Sequence, residues 1–138
     1  MNSLPSLHHV VFCVEPDHHD AAADVWRTLG FEFVEFLLED VSLRVVLDWT
    51  RGIEIISPMT DNASVCVARA FLDERGEGVY SVVVRTDAIG AAIDGAERHG
   101  AELSFQQSRS GDGYALEEAM FAPVFGMPIT LLETDIPA

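Results

Sequence analysis

Apolar residues recur with two different periods along the first half of the chain. Residues 6–14 predict a strand, on which His9 and Cys13 share one face. Residues 17–29 have the spacing of a helix, and Gly30, which is free to adopt a positive φ, ends it. The predicted apolar stripe of this helix contains three residues spaced four apart, Ala21, Val25 and Leu29. Ala22 and Trp26 lie beside them on the helix surface. Three runs rich in Val, Ile and Phe then predict strands over residues 31–37, 43–49 and 52–56.

The second half of the chain repeats this order of elements. A polar stretch and a short helix over residues 65–74 separate the two halves. A strand over residues 79–85 and a helix over residues 87–99 follow, and the helix ends at Gly100. The last three predicted strands cover residues 103–107, 114–121 and 127–133. The order strand, helix, three strands thus occurs twice, as a repeat of pattern rather than of identical residues.

This repeat predicts an α+β fold of two βαβββ modules, whose curved mixed sheets surround a cleft. The modules cover residues 6–58 and 78–134, and a linker over residues 59–77 joins them into one domain. One module alone leaves the inner face of its sheet exposed. Pairing two modules, within a chain or across a dimer, covers that face and leaves a ligand-sized cleft.

Length and composition are those of an ordinary globular domain, with 138 residues, 49% apolar and 22% charged. No run approaches the roughly 18 consecutive apolar residues of a membrane helix. Residues 1–10 lack the basic and apolar regions of a secretory signal, so we expect a cytoplasmic protein. Cys13 and Cys66 lie in apolar stretches and are expected to be buried free thiols.

The net charge of −15 excludes two classes of partner. Phosphate binding needs clustered Lys and Arg, so we expect no nucleic-acid partner. An anionic membrane surface would repel the chain in the same way. A cationic small-molecule ligand is compatible with the charge, although an acidic surface that keeps the protein soluble is the simpler interpretation.

Two segments carry a resemblance to a known family. Residues 71–78 read Phe-Leu-Asp-Glu-Arg-Gly-Glu-Gly, and residues 53–58 read Ile-Glu-Ile-Ile-Ser-Pro. The first is similar to the segment that joins the two modules of methylmalonyl-CoA epimerases, and the second to the end of their first module. The order of elements over residues 7–133 resembles the whole vicinal-oxygen-chelate superfamily, which includes glyoxalase I, the extradiol dioxygenases and the bleomycin-resistance proteins.

The resemblance implies a metal site whose ligand set is incomplete here. In the epimerases and glyoxalases, four inward side chains from the first and last strands of each module hold one divalent metal. The first-module positions fall on His9 and Glu54, which are good ligands. The second-module positions fall on Ser81 and Thr130, whose neutral hydroxyls bind Zn, Co or Ni poorly. We therefore expect no tightly bound metal and no other cofactor, unless Glu118 on the preceding strand completes the set.

Three carboxylates are candidates for moving a proton. Glu54 lies in an apolar strand, and if it points into the cleft it is placed to act as a general base. The resemblance puts Glu39 and Asp40 near the α-carbon of the substrate. A solvated hairpin turn is the alternative interpretation of that pair.

Polar side chains near these carboxylates are candidates for binding a substrate. Arg44 can hold a carboxylate or phosphate of the ligand through its planar guanidinium, or it can pair with Glu54 or Glu32. Tyr80 can line the cleft and stack on a ligand. His9, Ser81, Thr130 and Glu118 complete the predicted substrate-binding set.

Other polar residues are assigned no role in the site. His18 and His19 flank a helix start, where a cationic side chain is disfavoured, and we expect both on the surface. Glu133 lies three residues after Thr130, so strand alternation points the two side chains to opposite faces.

Three functions are compatible with these residues. The first is an epimerase-, isomerase- or lyase-like enzyme acting on a small carbonyl or acyl-CoA substrate, in which polar groups such as His9, Ser81 and Arg44 replace the metal. The second is a metal-free protein that sequesters an antibiotic or other small molecule, as acidic members of the superfamily do. The third is a metalloenzyme whose altered ligand set includes Glu118. The resemblance also implies a homodimer.

Overall fold

The computed structural model describes residues 4–137, which form two compact units. The first unit is His9–Tyr80, and the second consists of residues 81–137 with residues 4–8. No helix in this described part of the chain is long and apolar enough to cross a lipid bilayer. Each unit is built around one helix that packs on a four-stranded arrangement of mixed direction.

The first unit follows the predicted order, and the short helix predicted over residues 65–74 is present in it. Its elements are β1 (Ser6–Cys13, of which residues 9–13 belong here), α1 (His19–Thr28), β2 (Val34–Leu38), β3 (Leu43–Asp48), β4 (Ile53–Pro58) and α2 (Val67–Arg75). The strand order is β2-β3-β4-β1. β1 runs parallel to β4, whereas β2, β3 and β4 pair antiparallel. The helix α1 therefore forms the crossover between two parallel strands that lie side by side.

The second unit repeats this construction. Its elements are β5 (Gly78–Arg85), α3 (Ile89–Arg98), β6 (Leu103–Gly111), β7 (Tyr114–Phe121) and β8 (Ile129–Thr134). The strand order is β5-β8-β7-β6, with β5 and β8 parallel and the remaining pairs antiparallel. The βαβββ order thus occurs in both units, and the α+β class predicted from the sequence is confirmed.

The predicted apolar stripe of α1 was wrong for Ala21, Val25 and Leu29, which are exposed, and right for Ala22 and Trp26, which pack on the core. A 3-10 turn over Pro16–His18 precedes the helix, and the buried positions are His19 and Ala23, with Ala22 and Trp26 partly buried beside them. Val25 and Leu29 are 60% and 67% exposed. The residues three and four positions after His19 lie on the same side of this short helix and make its contact with the sheet. The other apolar residues lie on sides of the helix that do not face the sheet.

The first strand after α1 begins later than the sequence predicts. β2 starts at Val34 rather than at residue 31. Phe31 instead packs edge-on against Trp26, with ring centroids 5.0 Å apart. Burial of this aromatic pair against the helix holds residues 31–33 out of the sheet.

Strand alternation divides each sheet into a helix-covered face and an opposite face. In the first unit α1 packs on Val46, Ile53 and Ile55, and in the second unit α3 packs through Ile89 and Ile93 on residues of β7 and β8. The buried β7 and β8 residues of that second core are Ala119, Phe121 and Leu131. The residues between these apolar positions point to the opposite face, which is where the predicted site residues of β1, β4, β5 and β8 lie.

The helix α2 packs on the face of the first unit that α1 leaves uncovered. The Cys13 thiol contacts the Ala68 carbonyl at 3.8 Å. Arg69 fixes the helix by donating to both carboxylate oxygens of Glu15, at 2.8 and 3.0 Å, and to Asp73 at 3.0 Å. Both cysteines are buried free thiols, as the sequence predicts, and burial raises the pKa of Cys13 to about 12.

A buried carboxylate closes the turn between β3 and β4. Asp48, 4% exposed, accepts backbone N–H groups from Glu32 and Arg51 at 2.9 and 3.0 Å. The guanidinium of Arg51 donates a third bond at 3.2 Å. Burial opposes ionisation of this carboxyl, but the hydrogen bonds outweigh it and lower the pKa of Asp48. The charged form of Asp48 therefore holds β3 and β4 in the register that places the rest of β4.

His19 is a buried residue of the α1–β4 interface, so the prediction that it lies on the surface was wrong. Its ring has 0% exposure, and Nδ1 lies 2.7 Å from the Ser57 hydroxyl of β4. His18, one residue earlier, is exposed and contacts Glu77. Burial lowers the pKa of His19, and the positive charge of Arg44 adds to this effect, whereas Asp20 opposes it. The folded protein therefore keeps His19 neutral.

This buried imidazole should make the first unit sensitive to acid. A histidine in the unfolded chain titrates near 6.5, above its folded value, so below about pH 6.5 unfolding takes up a proton and becomes easier. Replacing His19 by Gln should flatten the fall of the free energy of unfolding between about pH 7 and pH 5. Urea unfolding at several pH values measures this slope. The matched control is His99→Gln, at the exposed end of α3, which should keep the wild-type slope. A His19→Gln slope equal to that of the wild type would contradict the assignment.

Candidate functional site

The parallel register of β1 and β4 brings His9 and Glu54 together. Val11 of β1 lies opposite Glu54 of β4, and His9 is two residues before Val11 on the same face. The Nε2 atom of His9 lies 3.3 Å from Oε1 of Glu54. The two side chains are 6% and 20% exposed, so the pair is mostly removed from solvent without being sealed. Both point away from the α1 core, because Ile53 and Ile55 take the other face.

One aromatic ring lies near this pair, and two further aromatic rings pack on each other in the same unit. The Trp49 ring lies 6.2 Å from the His9 ring, measured between centroids. Tyr80 packs edge-on against Phe71 of α2, with centroids 5.1 Å apart. Burial raises the pKa of Tyr80, and the negative charges that Cys13, Cys66 and Glu54 can carry raise it further. The Tyr80 phenol therefore stays protonated near neutral pH.

The second unit contains an equivalent pair at the same register positions. Val83 of β5 lies opposite Thr130 of β8, and Ser81 is two residues before Val83. The Ser81 and Thr130 hydroxyls are 2.6 Å apart, and Ser81 also lies 3.4 Å from the Pro128 carbonyl oxygen. Both residues are buried, at 2% and 3% exposure. Ser81 thus corresponds to His9 and Thr130 to Glu54, as the family resemblance implied.

The donors at these equivalent positions do not fit the divalent metal that the fold family uses. The first unit offers an imidazole and a carboxylate, but the second offers two hydroxyls that already bond to each other. Neutral hydroxyls compete poorly with water for Zn, Co or Ni. Within residues 4–137, no three His, Cys, Asp or Glu side chains are grouped so as to hold a metal ion.

The two glutamates near Thr130 occupy opposite faces of the second sheet. Glu118 of β7 is opposite Leu132 of β8, and Leu132 is two residues after Thr130. Glu118 therefore projects from the same face of the sheet as Thr130. Its Oε1 accepts a hydrogen bond from the Gln107 amide at 3.0 Å. Glu133 points to the helix side and accepts the backbone N–H of Ile89, the first residue of α3, at 2.8 Å. Glu133 is therefore a helix cap rather than a site residue, in agreement with the alternation argument.

Glu39 and Asp40 lie away from Glu54 along the sheet. Both are exposed on a 3-10 turn, Glu39–Val41, just before β3. The first residue of β3, just after this turn, is opposite Pro58 of β4. Pro58 is four residues after Glu54, so the turn lies about 13 Å from Glu54 along the strand direction. The structure thus brings His9 to Glu54 and leaves the predicted second carboxylate on a solvated turn.

Arg44 lies on the helix-covered face rather than beside Glu54. It is opposite Ser57, whose hydroxyl faces His19, so its side chain projects toward α1. Its guanidinium donates to Asp20 at 2.6 Å and to Glu35 at 3.2 Å. Of the two alternatives for Arg44, the pairing with Glu54 or Glu32 was therefore wrong, and its guanidinium binds Asp20 and Glu35 instead of being left for the carboxylate or phosphate of a ligand.

The aromatic neighbours of His9 were the part of the site that sequence reasoning missed. Neither Trp49 nor Phe71 was among the predicted site residues, and Phe71 is only the first residue of the family motif over residues 71–78. Trp49 directly follows β3, and β3 pairs with β4, the strand that carries Glu54. The register of this hairpin could therefore have predicted that Trp49 lies near Glu54 and its partner His9. The contact of Phe71 with Tyr80 joins residues of α2 and β5 that no local pattern connects.

Solved structures with the same fold include methylmalonyl-CoA epimerases and a hypothetical protein. The epimerase from Mycobacterium tuberculosis is 25% identical, with a TM-score of 0.70 over 100% of this chain and 93% of that one. A variant of the Streptomyces coelicolor epimerase, bound to 2-nitronate-propionyl-CoA, is 20% identical, with a TM-score of 0.73 over 97% and 100%. A hypothetical protein from Bacillus halodurans C-125 is 17% identical, with a TM-score of 0.78 over 99% of both chains.

No protein-family model and no curated protein sequence matches the chain. At these identities the solved structures establish the fold, while the chemistry depends on this chain's own residues. The predicted resemblance is confirmed: the chain has the vicinal-oxygen-chelate fold, and its structural likeness to methylmalonyl-CoA epimerases extends over its whole length.

Proposed function

We propose that this protein is an epimerase-, isomerase- or lyase-like enzyme that moves a proton on the carbon next to a carbonyl, without a metal. The observation that carries this proposal is the Glu54 carboxylate, 20% exposed and 3.3 Å from the imidazole of the buried His9. A partly desolvated carboxylate beside an imidazole is a pair that can accept and return a proton. The epimerases that share the fold support this class of reaction.

In this proposal Glu54 takes the α-proton and the electron pair of the C–H bond moves toward the carbonyl oxygen. The products of the step are an enolate and a neutral Glu54 carboxyl group. With His9 in the tautomer whose Nε2 is unprotonated, the carboxyl group can share the proton with it. Return of the proton to the face that it left restores the substrate, and its return after the planar enolate has turned over in the site gives the epimer, so no redox step or co-reactant is required.

Stabilisation of the enolate is assigned to neutral donors. The phenol of Tyr80 stays protonated, so it is available as a donor near Glu54. His9, Ser81, Thr130 and Glu118 remain predicted substrate-binding residues. Arg44 is withdrawn from this set because Asp20 and Glu35 already bind its guanidinium.

The substrate class we propose is an acyl-CoA thioester. One of the structural neighbours is a methylmalonyl-CoA epimerase in complex with methylmalonyl-CoA, and another holds 2-nitronate-propionyl-CoA. A thioester makes the neighbouring C–H acidic enough for a carboxylate base, particularly where a neutral donor binds the carbonyl oxygen. Methylmalonyl-CoA is therefore the first probe to use.

Proton transfer is measured as deuterium uptake. Incubation of the protein with methylmalonyl-CoA in D₂O, followed by mass spectrometry, should show exchange at the α-carbon faster than in buffer. Glu54→Gln should slow the enzymatic exchange by about a hundredfold or more, since general-base catalysis contributes about 10²–10⁴-fold. His9→Gln should slow it less, because the base itself remains.

The matched control is Glu97→Gln, which removes an exposed carboxylate on α3. This variant should exchange at the wild-type rate. Exchange that is unaffected in Glu54→Gln, with the fold intact by circular dichroism, would remove Glu54 from the mechanism. Loss of exchange in Asp40→Asn instead would assign the base to the exposed turn.

Independence from metal has a separate readout. Addition of Zn²⁺, Co²⁺ or Ni²⁺ should leave the melting temperature unchanged, because a ligand that binds only the folded state would raise it. Extensive treatment with a chelator should leave the deuterium exchange unchanged. A stoichiometric metal in the purified protein, lost together with exchange on chelation, would instead support the metalloenzyme whose ligands include Glu118.

A metal-free binding protein is the second candidate function. The net charge of −15 and the hydroxyl pair at the second-unit positions favour it, since neither assists metal chemistry and the charge attracts cations. Stabilisation by a cationic glycopeptide antibiotic, in thermal melts and without deuterium exchange into any acyl-CoA, would select this function over the enzyme.

A further inference from the structure

We propose that Arg85 binds a phosphate group of the coenzyme A moiety of the ligand, at the end of the second sheet that lies away from Ser81 and Thr130. This inference deepens the proposed function, since it rests on an acyl-CoA as the substrate. It assigns recognition of the coenzyme to a residue that takes no part in the transfer of the proton.

The strand register puts Arg85 on the same face of the second sheet as Ser81 and Thr130. Arg85 of β5 is four residues after Ser81, and it is opposite Leu132 of β8, which is two residues after Thr130. The helix α3 packs on the other face of this sheet. Arg85 therefore belongs to the face that carries the predicted substrate-binding positions of the second unit.

This face reverses the charge balance of the chain. The chain has 23 Asp and Glu residues but 8 Lys and Arg residues, all of them Arg. On strands β5 to β8, the charged side chains of this face are those of Arg85, Arg109 and Glu118. Glu118 accepts a hydrogen bond from the amide of Gln107 at 3.0 Å. The local excess of positive charge favours an anionic group of a ligand at this face.

The guanidinium of Arg85 is anchored but has no counter-ion in the described part of the chain. Its Nη2 atom donates to the backbone carbonyl of Thr134 at 2.9 Å, and no carboxylate of residues 4–137 pairs with it. The side chain is half-buried, but none of its unbonded nitrogen atoms is enclosed by the protein. A guanidinium has five N–H donors, so four remain for a ligand. Four other arginines instead pair with carboxylates: Arg27, Arg44, Arg51 and Arg69.

The position of Arg85 along the strand distinguishes a phosphate from an acid group on the acyl chain. Four residues of a strand span about 13 Å, and the carbonyl that anchors the guanidinium is likewise four residues after Thr130. A carboxylate on the α-carbon is two bonds from the thioester carbonyl carbon, so it cannot span this distance from Ser81 and Thr130. The pantetheine arm of coenzyme A separates the thioester from the phosphates by a long flexible chain, which can.

The geometry of an arginine suits this ligand group. Its planar guanidinium offers parallel N–H donors to two oxygen atoms of one phosphate, and such charge-assisted bonds are about twice as strong as neutral ones. The bond to the Thr134 carbonyl fixes the side chain before the ligand binds, which lowers the conformational entropy lost on binding. A lysine at this position would supply the charge without the paired donors.

Free coenzyme A is the probe, because it carries the phosphates but no acyl group on which the enzyme could act. Isothermal titration calorimetry should show that Arg85→Gln weakens its binding by about tenfold or more, since charge-assisted hydrogen bonds are lost. Arg85→Lys should bind it with intermediate affinity. The matched control is Arg98→Gln at the exposed end of α3, which removes the same charge and should bind as the wild type.

Three further ligands identify the group that Arg85 binds. Pantetheine lacks the phosphates, so it should bind the wild type and Arg85→Gln equally. Propionyl-CoA and methylmalonyl-CoA, of which only the second carries a carboxylate, should lose affinity by the same factor in Arg85→Gln. Circular dichroism and thermal melting verify that the variants are folded, and Gln retains an N–H group for the carbonyl of Thr134.

Failure of this inference and failure of the proposed reaction give different results. Binding of coenzyme A that depends on Arg85, without deuterium exchange into any acyl-CoA, would refute the reaction and support the coenzyme site. Catalysed exchange, with coenzyme A bound equally by Arg85→Gln and the wild type, would overturn the coenzyme site alone.

Three other results would also overturn the assignment of Arg85. The first is a wild-type protein that does not bind coenzyme A. The second is an equal loss of affinity in Arg98→Gln, which would reduce the effect to net charge. The third is a loss confined to methylmalonyl-CoA, which would assign Arg85 to the acyl carboxylate.

Discussion

The parallel pairing of the first and last strands within each unit is the constraint on which the site depends. It sets β1 beside β4 and β5 beside β8, although the paired positions are far apart in the chain, as Val10 and Ile53 or Val82 and Ile129 are. A crossover helix makes this pairing possible, and the helix in turn needs one apolar face of the sheet to bury itself. The opposite face is left for polar residues, and the register decides which of them meet.

The two units apply the same construction to different residues. At the equivalent positions one unit holds an imidazole and a carboxylate, His9 and Glu54, and the other two hydroxyls, Ser81 and Thr130. The two hydroxyls compensate each other's burial by a hydrogen bond, whereas burial of an ionisable pair costs more free energy than burial of neutral groups. This asymmetry is why we base the proposed chemistry on the first unit.

Local pattern predicted the elements well where a residue's role is set by its neighbours in sequence. The strand with Ile53 and Ile55 flanking Glu54 and the helices ending at Gly30 and Gly100 follow from alternation and from the positive φ that glycine adopts. The predictions that failed involve contacts across the fold. His19 is buried because a 3-10 turn shifts the start of α1, and Arg44 is engaged because Asp20 of that helix lies over it.

The sequence by itself determined the repeated βαβββ order, the class of fold and the residue types at the four equivalent positions, since periodicity and spacing are properties of neighbouring residues. Tertiary structure alone decided which side chains meet: His9 with Glu54, Ser81 with Thr130, and Arg44 with Asp20 and Glu35. These contacts are fixed by the register between strands that are distant in the chain and by the packing of a helix on a sheet. Both are set by the packing of the whole core, which no single segment encodes.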